Sequence, residues 1–484
     1  MGGLKTLFQQ TFIYGLATVL PRMLSFLLTP LYTQVMAVGV YGKVSIIFSW
    51  FAIFNVILAY GMETAFFRFF NKEEQQEKVV GTATLSIVFT SFAIFLLAFL
   101  FKHQIAEITD IEVRHISFVI WILLLDALVI IPFAWLRANA KPVKYAIIKI
   151  ANVAINIGLN LFFFLLLADL ASKNDFFGSM YRSDFEISYV LIANFIASAV
   201  TLIIMLFFYS KIKYVFDSKL WRQMLQYALP VLVAGLAYTT IEQFNRILLE
   251  SSLSTAANPE DEVGMFSACY KLALFMTLFA TAFRLGIEPY FFSHAKSDNP
   301  QKNYAKILEF FVAFGAVILL TVVVFADILK VIIIRDEDYW EAMWIVPIIL
   351  VASFCLGIYH NLSVWYKITD RTKFGAYISV VGAIITLGLN IWLIPIISYK
   401  GSAIATLAAY SSMVILSYFF GRKYYPIPYN LKKIGGYLLL SIGFSSLSFY
   451  QFRGQYIIGI SLLVVFLGIV YAAERKQIKT LLNR

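Results

Sequence analysis

Apolar segments of about 20 residues recur about fourteen times along this chain, and each is long enough to cross the hydrocarbon core of a bilayer. Of its 484 residues, 61% are hydrophobic and only 14% are charged, which excludes a water-soluble globular domain. The sequence therefore predicts an all-α polytopic membrane protein of about fourteen transmembrane helices. The predicted spans lie at 11–35, 43–69, 79–101, 115–137, 143–168, 187–209, 224–250, 263–292, 305–329, 341–366, 373–397, 401–420, 433–450 and 456–473.

The distribution of Lys and Arg orients these spans. With a cytoplasmic N-terminus, the inner connections carry 24 basic residues and the outer connections carry 8. The positive-inside rule then places both termini in the cytoplasm and supports an even number of spans. The net charge of +11 follows from this topology and does not indicate a nucleic-acid partner. The longest connection, 169–186, is too short to fold as a domain, so we expect function within the membrane.

An internal repeat divides the first twelve spans into halves. KPVKYAIIKIANVAINIGLN at 141–160 aligns without gaps with RTKFGAYISVVGAIITLGLN at 371–390, an offset of 230, and YGKVS at 41–45 matches VGMFS at 263–267 more weakly, at an offset of 222. Because six helices repeat, the two halves share one orientation, as in transporters with parallel repeats. The repeat predicts two pseudo-symmetric six-helix lobes around a central cavity. The predicted parts are an N-terminal lobe at 1–210, a cytoplasmic linker at 211–222, a C-terminal lobe at 223–421, and helices 13 and 14 with a cytoplasmic tail at 422–484.

Ionisable residues inside the predicted spans are the candidate functional groups, because such residues usually face a bundle interior or water. In span 1 one helical face carries Thr11, Thr18, Arg22, Ser25, Thr29 and Tyr32; span 2 places Ser45, Ser49 and Glu63 on one stripe, and span 7 carries Gly235, Thr239, Glu242 and Arg246. The predicted substrate-binding cations are Arg22, Arg68, Arg246, Lys271 and Arg284. The predicted counter-charges, or sites for a coupling H+ or Na+, are Glu63, Asp126, Glu242 and Glu288.

An alternative interpretation of the same charges is structural. Salt bridges such as Arg22 with Glu63 or Asp126, or Glu242 with Arg246 one turn apart, would hold helix against helix. The sequence shows no nucleophile and base set and no metal-ligand cluster, so no catalytic residue, cofactor or metal is predicted. The four histidines fall in loops or at helix ends and are expected to be solvated, namely His103, His115, His294 and His360.

The segment LLTPLYTQVMAVGVYGKVSIIFSW, followed by LAYGMETAFFRFF, resembles the polysaccharide-transporter (Wzx-like oligosaccharide flippase) family of the multidrug/oligosaccharidyl-lipid/polysaccharide exporter (MOP) superfamily. The matching motif residues are Pro30, Leu31, Tyr32, Thr33, Tyr41, Gly42, Gly61, Ala65 and Arg68, and GSAIATLAAY at 401–410 resembles the start of the family's twelfth helix. The resemblance runs from residue 10 to about 420. Gln34 and Val38 to Val40 depart from the family pattern, which affects the outer end of the first hairpin.

The resemblance implies fourteen helices in two six-helix lobes plus a C-terminal pair. It also implies a bacterial inner-membrane flippase, not an enzyme, whose cargo is an oligosaccharide on a polyprenyl pyrophosphate, turned outward for O-antigen, capsule or exopolysaccharide synthesis beside a glycan polymerase. A peptidoglycan-precursor flippase shares this architecture and stays open as an alternative. A cation-coupled multidrug exporter of the same superfamily usually places an acid where this chain has Arg22, and a glycan polymerase or ligase usually needs a large outer loop.

Overall fold

The computed structural model describes residue 23 and residues 26–73, 75–253, 258–293, 299–369 and 371–482. Every regular element in these ranges is helical. Twelve of the described helical segments are long and apolar enough to cross a membrane. The predicted all-α polytopic fold is therefore confirmed.

The helices are numbered in chain order. Helices α1 to α11 cover 26–35, Val38–Ala59, Met62–Lys72, Gln76–Leu100, Lys102–Thr109, Val113–Leu128, Ile130–Ala138, Pro142–Leu161, Leu167–Ala171, Asp175–Met180 and Glu186–Tyr209. Helices α12 to α22 cover Ser218–Ser252, Pro259–Tyr270, Leu274–Ser293, Pro300–Val324, Ala326–Ile333, Val346–Leu362, Val364–Ile368, Lys373–Ile397, Tyr399–Tyr424, Leu431–Ser446 and Tyr456–Leu482. Short π-helical turns lie at Phe162–Leu166 and Leu447–Gln451, and 3₁₀ turns lie at Lys271–Ala273 and Glu337–Ile345.

The chain divides into two compact units, Met1–Gly264 and Met265–Arg484. In the first unit, the long helix α12 packs on α2, α3 and α4. In the second unit, α20 packs on α17 and α19, and α15 contacts α21 and α22. The contacts thus group α12 with the first unit, whereas the repeat assigns it to the second lobe. The lobe boundaries remain predictions from the repeat.

The second predicted span contains two helices, α2 and α3, because Tyr60 and Gly61 interrupt the helical backbone between them. Tyr60 and Gly61 adopt left-handed backbone angles, with φ of 30° and 75°. A Cβ atom at Gly61 would overlap the carbonyl oxygen of Ala228 on α12, so glycine is needed for this close approach. The Tyr60 hydroxyl lies 2.7 Å from Ser86 Oγ and anchors the break to α4. The span predicted at 43–69 lies within the membrane-length segment Val38–Lys72, and Tyr60 and Gly61 interrupt the helix inside that segment.

Two glycines matched by the weaker repeat lie where α2 and α13 cross. A Cβ atom at Gly42 would overlap the carbonyl oxygen of Glu260, and a Cβ atom at Gly264 would overlap that of Val38. The offset of 222 that relates Gly42 to Gly264 also relates Val38 to Glu260. The crossing is therefore reciprocal, and each glycine makes room for the backbone that carries the other.

An ion-pair cluster joins the start of α16 to the connection before α22. Asp327 Oδ1 accepts a hydrogen bond from Arg453 Nη2 at 2.8 Å and lies 3.0 Å from Lys330 Nζ. Burial acts to raise the pKa of Asp327, but the hydrogen bonds from Arg453 and Lys330 outweigh it and hold that pKa below its ordinary value.

We expect the stability that Asp327 contributes to depend on pH. A depressed pKa makes this contribution fully present above the ordinary carboxyl pKa of about 3.9 and removes it as pH falls through the lower folded value. The melting temperature of the full chain in detergent should therefore be higher than that of Asp327→Asn at about pH 5, with the gap narrowing toward about pH 3. Asp169→Asn, in an exposed pair with Lys173, is the control. A gap that stays constant with pH would contradict this expectation.

Candidate functional site

Part of the predicted site lies outside the described residues, namely Arg22 and the side chain of Glu288. Of the polar face of span 1, Thr29 and Tyr32 are described, and both are buried. The Tyr32 hydroxyl donates to Asn160 Oδ1 at 2.7 Å, and Asn160 is the last residue of the first Gly-Leu-Asn repeat. The hydrogen bond from Tyr32, on this polar face, therefore joins α1 to α8.

The polar stripes predicted on spans 2 and 7 meet in the first unit. Ser49 Oγ donates to Gln243 Oε1 at 3.2 Å, which joins α2 to α12. Arg246 Nη1 lies 3.5 Å from the same Gln243 oxygen and donates to the backbone carbonyl of Glu242 at 3.0 Å. Arg246 is only 8% exposed within its membrane-length helix. A permanent positive charge is thus held inside the apolar part of the chain.

Glu63 lies off the stripe on which the sequence placed it, because the break at Gly61 separates it from Ser45 and Ser49. Its Oε1 accepts a hydrogen bond from Arg137 Nη1 at 2.8 Å. Both side chains are about two-fifths exposed, 42% for Glu63 and 41% for Arg137. For Glu63 this geometry favours the structural interpretation, with Arg137 as a partner that the sequence did not indicate.

Asp126 belongs to a polar cluster among α6, α8 and α11. Its Oδ1 accepts a hydrogen bond from Ser198 Oγ at 2.7 Å. On the neighbouring helix α8, Lys149 Nζ lies 4.1 Å from the centre of the Phe133 ring. These contacts connect helices of the first unit to one another, and the role of Asp126 as an ion-coupling group remains a prediction.

Two further predicted cations, Arg68 in the first unit and Lys271 in the second, lie in different surroundings. The Arg68 guanidinium carbon lies 4.3 Å from the centre of the Tyr227 ring, at an exposed position on α3. Lys271 begins the 3₁₀ turn between α13 and α14, and the membrane-length segment Pro259–Ile287 continues through this turn.

Arg284, from α14, lines a small pocket in the second unit. The other polar groups come from the end of α17 and from α18: His360, Asn361, Ser363 and Lys367. Arg284 Nε and Asn361 Oδ1 are buried and have no hydrogen-bond partner among the described residues. The basic side chains of the described lining are Arg284 and Lys367, and Ile287, Phe291 and Val364 supply its apolar part.

Two histidines show where the sequence interpretation fell short. His115 is 4% exposed and its Nε2 lies 3.1 Å from Ser188 Oγ, because α6 packs this first-turn residue against α11. The expectation that His115 is solvated is wrong. His360 precedes Lys367 by seven residues, or two helical turns, a spacing that could have indicated a shared polar face.

Comparison with known proteins identifies the family. A family model described as polysaccharide biosynthesis protein matches residues 7–294, more than half of the chain. The chain belongs to this family. No curated protein matches it. The predicted resemblance is thereby confirmed.

Solved structures with the same fold are transporters of the MOP superfamily and a lipid II flippase. The lipid II flippase MurJ, in an inward closed conformation, is 15% identical, with 96% of this chain and 99% of that chain covered and a TM-score of 0.73. An inward-facing multidrug resistance MATE transporter is 10% identical over 89% and 96% of the two chains, with a TM-score of 0.63. A MOP superfamily transporter from Pyrococcus furiosus is 11% identical over 90% and 96%, with a TM-score of 0.61. At these identities the likeness establishes the fold.

Proposed function

We propose that this protein flips an oligosaccharide linked to polyprenyl pyrophosphate from the cytoplasmic to the outer leaflet of a bacterial inner membrane. The glycan serves the assembly of a surface polysaccharide, and the flip proceeds by alternating access between two repeat-related lobes. Both termini lie in the cytoplasm, and the protein works beside glycan polymerase machinery without catalysing a reaction itself.

The observation that carries this proposal is the presence of two arginines inside membrane-length helical segments. Arg246 and Arg284 both lie within membrane-length helical segments, and Arg284 keeps a buried N–H without a partner among the described residues. An arginine fork suits the oxygens of a pyrophosphate, which is the anionic head that the proposed cargo carries. Family membership supports the same polysaccharide pathway.

The test is the leaflet orientation of a labelled lipid-linked oligosaccharide in proteoliposomes. We expect the wild-type chain to turn the label outward and Arg246→Gln to slow the flip about 10- to 100-fold, since a hydrogen bond to a charged group is worth about 1.5 to 3 kcal/mol. Lys173→Gln, in an exposed pair with Asp169, is the matched control and should leave the rate unchanged. A wild-type rate in Arg246→Gln would remove this arginine from the transport route.

The same vesicles distinguish the other substrates. Flipping of a peptidoglycan lipid precursor in preference to the oligosaccharide lipid would replace the proposed cargo, and uptake of an organic cation without lipid flipping would indicate a drug exporter. Imposing a proton or a sodium gradient in turn identifies the coupling ion. The proposal fails if neither lipid changes leaflet faster than in protein-free vesicles.

A further inference from the structure

We infer that the short helix α10 lies in the interfacial layer of the bilayer, with Phe176 and Met180 inserted among the lipid chains. The helix belongs to the connection between the membrane-length segments Pro142–Ala171 and Glu186–Tyr209 of the first unit. Its partner is the lipid surface itself. This inference is independent of the cargo that the protein moves, and it gives the connection a role that the proposed function does not include.

The side chains of α10 divide into a polar side and an apolar side. Asp175 and Ser179 lie one turn apart on the first, and Phe176 and Met180 lie one turn apart on the second. Phe176 is 67% exposed and Met180 is 40% exposed, so much of the apolar side is open at the protein surface. An open apolar side next to a polar one is typical of a helix that lies in a membrane interface.

Hydrogen bonds at both ends of α10 fix the direction of its apolar side. Asn174 Oδ1 accepts a hydrogen bond from Phe176 N at 2.8 Å and caps the start of the helix. At the other end, the Tyr189 hydroxyl donates to the Met180 carbonyl at 3.1 Å and accepts from Arg182 N at 2.8 Å. Tyr189 is buried in the first turn of α11. The helix is therefore held in place by a membrane helix that follows it.

A ring contact places α10 beside the preceding membrane helix and not beyond its end. The Phe177 ring lies 6.1 Å, centre to centre, from the ring of Phe162, which lies nine residues before Ala171 in the 30-residue segment that begins at Pro142. That segment is about 45 Å long, and the hydrocarbon core is about 30 Å thick. With the segment centred on the core, Phe162 lies about 6 Å inside the core boundary. Phe177 therefore reaches the depth at which the lipid chains begin.

The neighbouring surface and the charge of the connection identify the partner as lipid. Within the same membrane-length segment, Leu165 and Leu166 are each 54% exposed, so this side of the segment faces hydrocarbon. The Phe176 ring lies 5.4 Å from the Phe177 ring and extends that surface. Residues 169–186 carry four acidic and two basic residues, a net charge of −2 that does not attract anionic headgroups. Apolar insertion, and not electrostatic attraction, therefore holds α10 at the membrane.

The test measures how deep labels on the two sides of α10 lie. A nitroxide is attached to Phe176→Cys or Met180→Cys, and to Ser179→Cys as the matched control, in the full chain reconstituted in phosphatidylcholine vesicles. Relaxation by oxygen, which concentrates in lipid, is compared with relaxation by a water-soluble nickel chelate. We expect oxygen to be the stronger relaxant for the first two labels and the chelate for the control. The wild-type chain gives the background from the buried Cys269 and the partly buried Cys355.

The outcomes decide between lipid and other partners. Stronger relaxation by the chelate for the Phe176→Cys and Met180→Cys labels overturns the inference and leaves this side of α10 to a protein partner. Stronger relaxation by oxygen for the Ser179→Cys label as well overturns it too, because the helix would then have no oriented side. Added phosphatidylglycerol or salt should leave the label depths unchanged. Insertion that requires anionic lipid would contradict apolar insertion.

Discussion

Replacing Gly42 by alanine is expected to destabilise the crossing of α2 and α13, and Gly264→Ala is expected to do the same. Each new Cβ atom would overlap a backbone carbonyl oxygen, that of Glu260 or that of Val38. A carbonyl within a helix cannot rotate away as a flexible side chain can, so the two helices must separate. Overpacking of this kind costs about 1 to 3 kcal/mol, and more when backbone must move.

The effect of the two substitutions together is expected to be smaller than their sum. Both substitutions act on one reciprocal crossing. Once the first alanine has separated the two helices, the second alanine has room for its methyl group. By the predicted topology the crossing lies at the outer ends of these helices, so its loss should also slow lipid flipping. The melting temperature and the flip rate of Gly42→Ala, Gly264→Ala and the double variant measure this.

A matched pair of glycines provides the control. Gly158 and Gly388 are also related by the repeat and lie within helices, but a Cβ atom at either would meet nothing within 4 Å. Alanine there should raise stability by about 0.5 to 1 kcal/mol, since glycine disfavours a helix interior. Opposite shifts of melting temperature in the two pairs are expected. The same upward shift at Gly42 would show that the crossing is not close-packed.

Replacing Lys433 by methionine is expected to loosen the C-terminal helices of the second unit. Lys433 Nζ lies 2.6 Å from Glu474 Oε1 and 3.0 Å from Glu309 Oε2, so one ammonium joins α21 to both α22 and α15. Tyr437 also donates to Glu474 Oε1 at 2.9 Å. The three charged side chains are largely buried, with exposed fractions of 18% for Lys433, 14% for Glu309 and 4% for Glu474.

The expected loss on removing Lys433 is about 3 to 5 kcal/mol, because two carboxylates would stay buried without their cation. Combining Glu309→Leu, Lys433→Met and Glu474→Leu should recover most of this loss, since a packed apolar cluster is often as stable as a buried ion cluster. The melting temperature of the detergent-solubilised chain is the measurement. Lys432→Met, at the exposed neighbouring position, is the control. An equal drop in the triple variant and in Lys433→Met would show that the loss does not come from carboxylates left buried without their cation.

The broad architecture could be predicted from the sequence because it depends on properties that add along the chain. Hydropathy over about 20 residues identifies a span wherever the other helices lie. Helical periodicity placed Ser49 and Arg246 on polar faces, and the structure joins those faces through Gln243. The family followed from motifs in the first two spans, and the family model confirms it.

Contacts between distant segments could not be predicted in this way. Glu63 binds Arg137, 74 positions away, because Gly61 breaks the helix where α12 approaches. His115 is buried because α11, which carries Ser188, packs over a helix end that looks exposed in the sequence. A local pattern states which face of a helix is polar but not which partner covers it.

The many membrane crossings of this chain, and the basic residues within its apolar helices, follow from the amino-acid sequence alone, because the transfer energy of a helix is a sum over its own residues. The reciprocal crossing of Gly42 and Gly264 is visible only in the folded chain. The same is true of Arg284 Nε and Asn361 Oδ1, which are buried without a hydrogen-bond partner in the part of the chain that the structure describes. Close approach and hydrogen-bond satisfaction are properties of pairs of atoms, and the pairs exist only once the helices have packed.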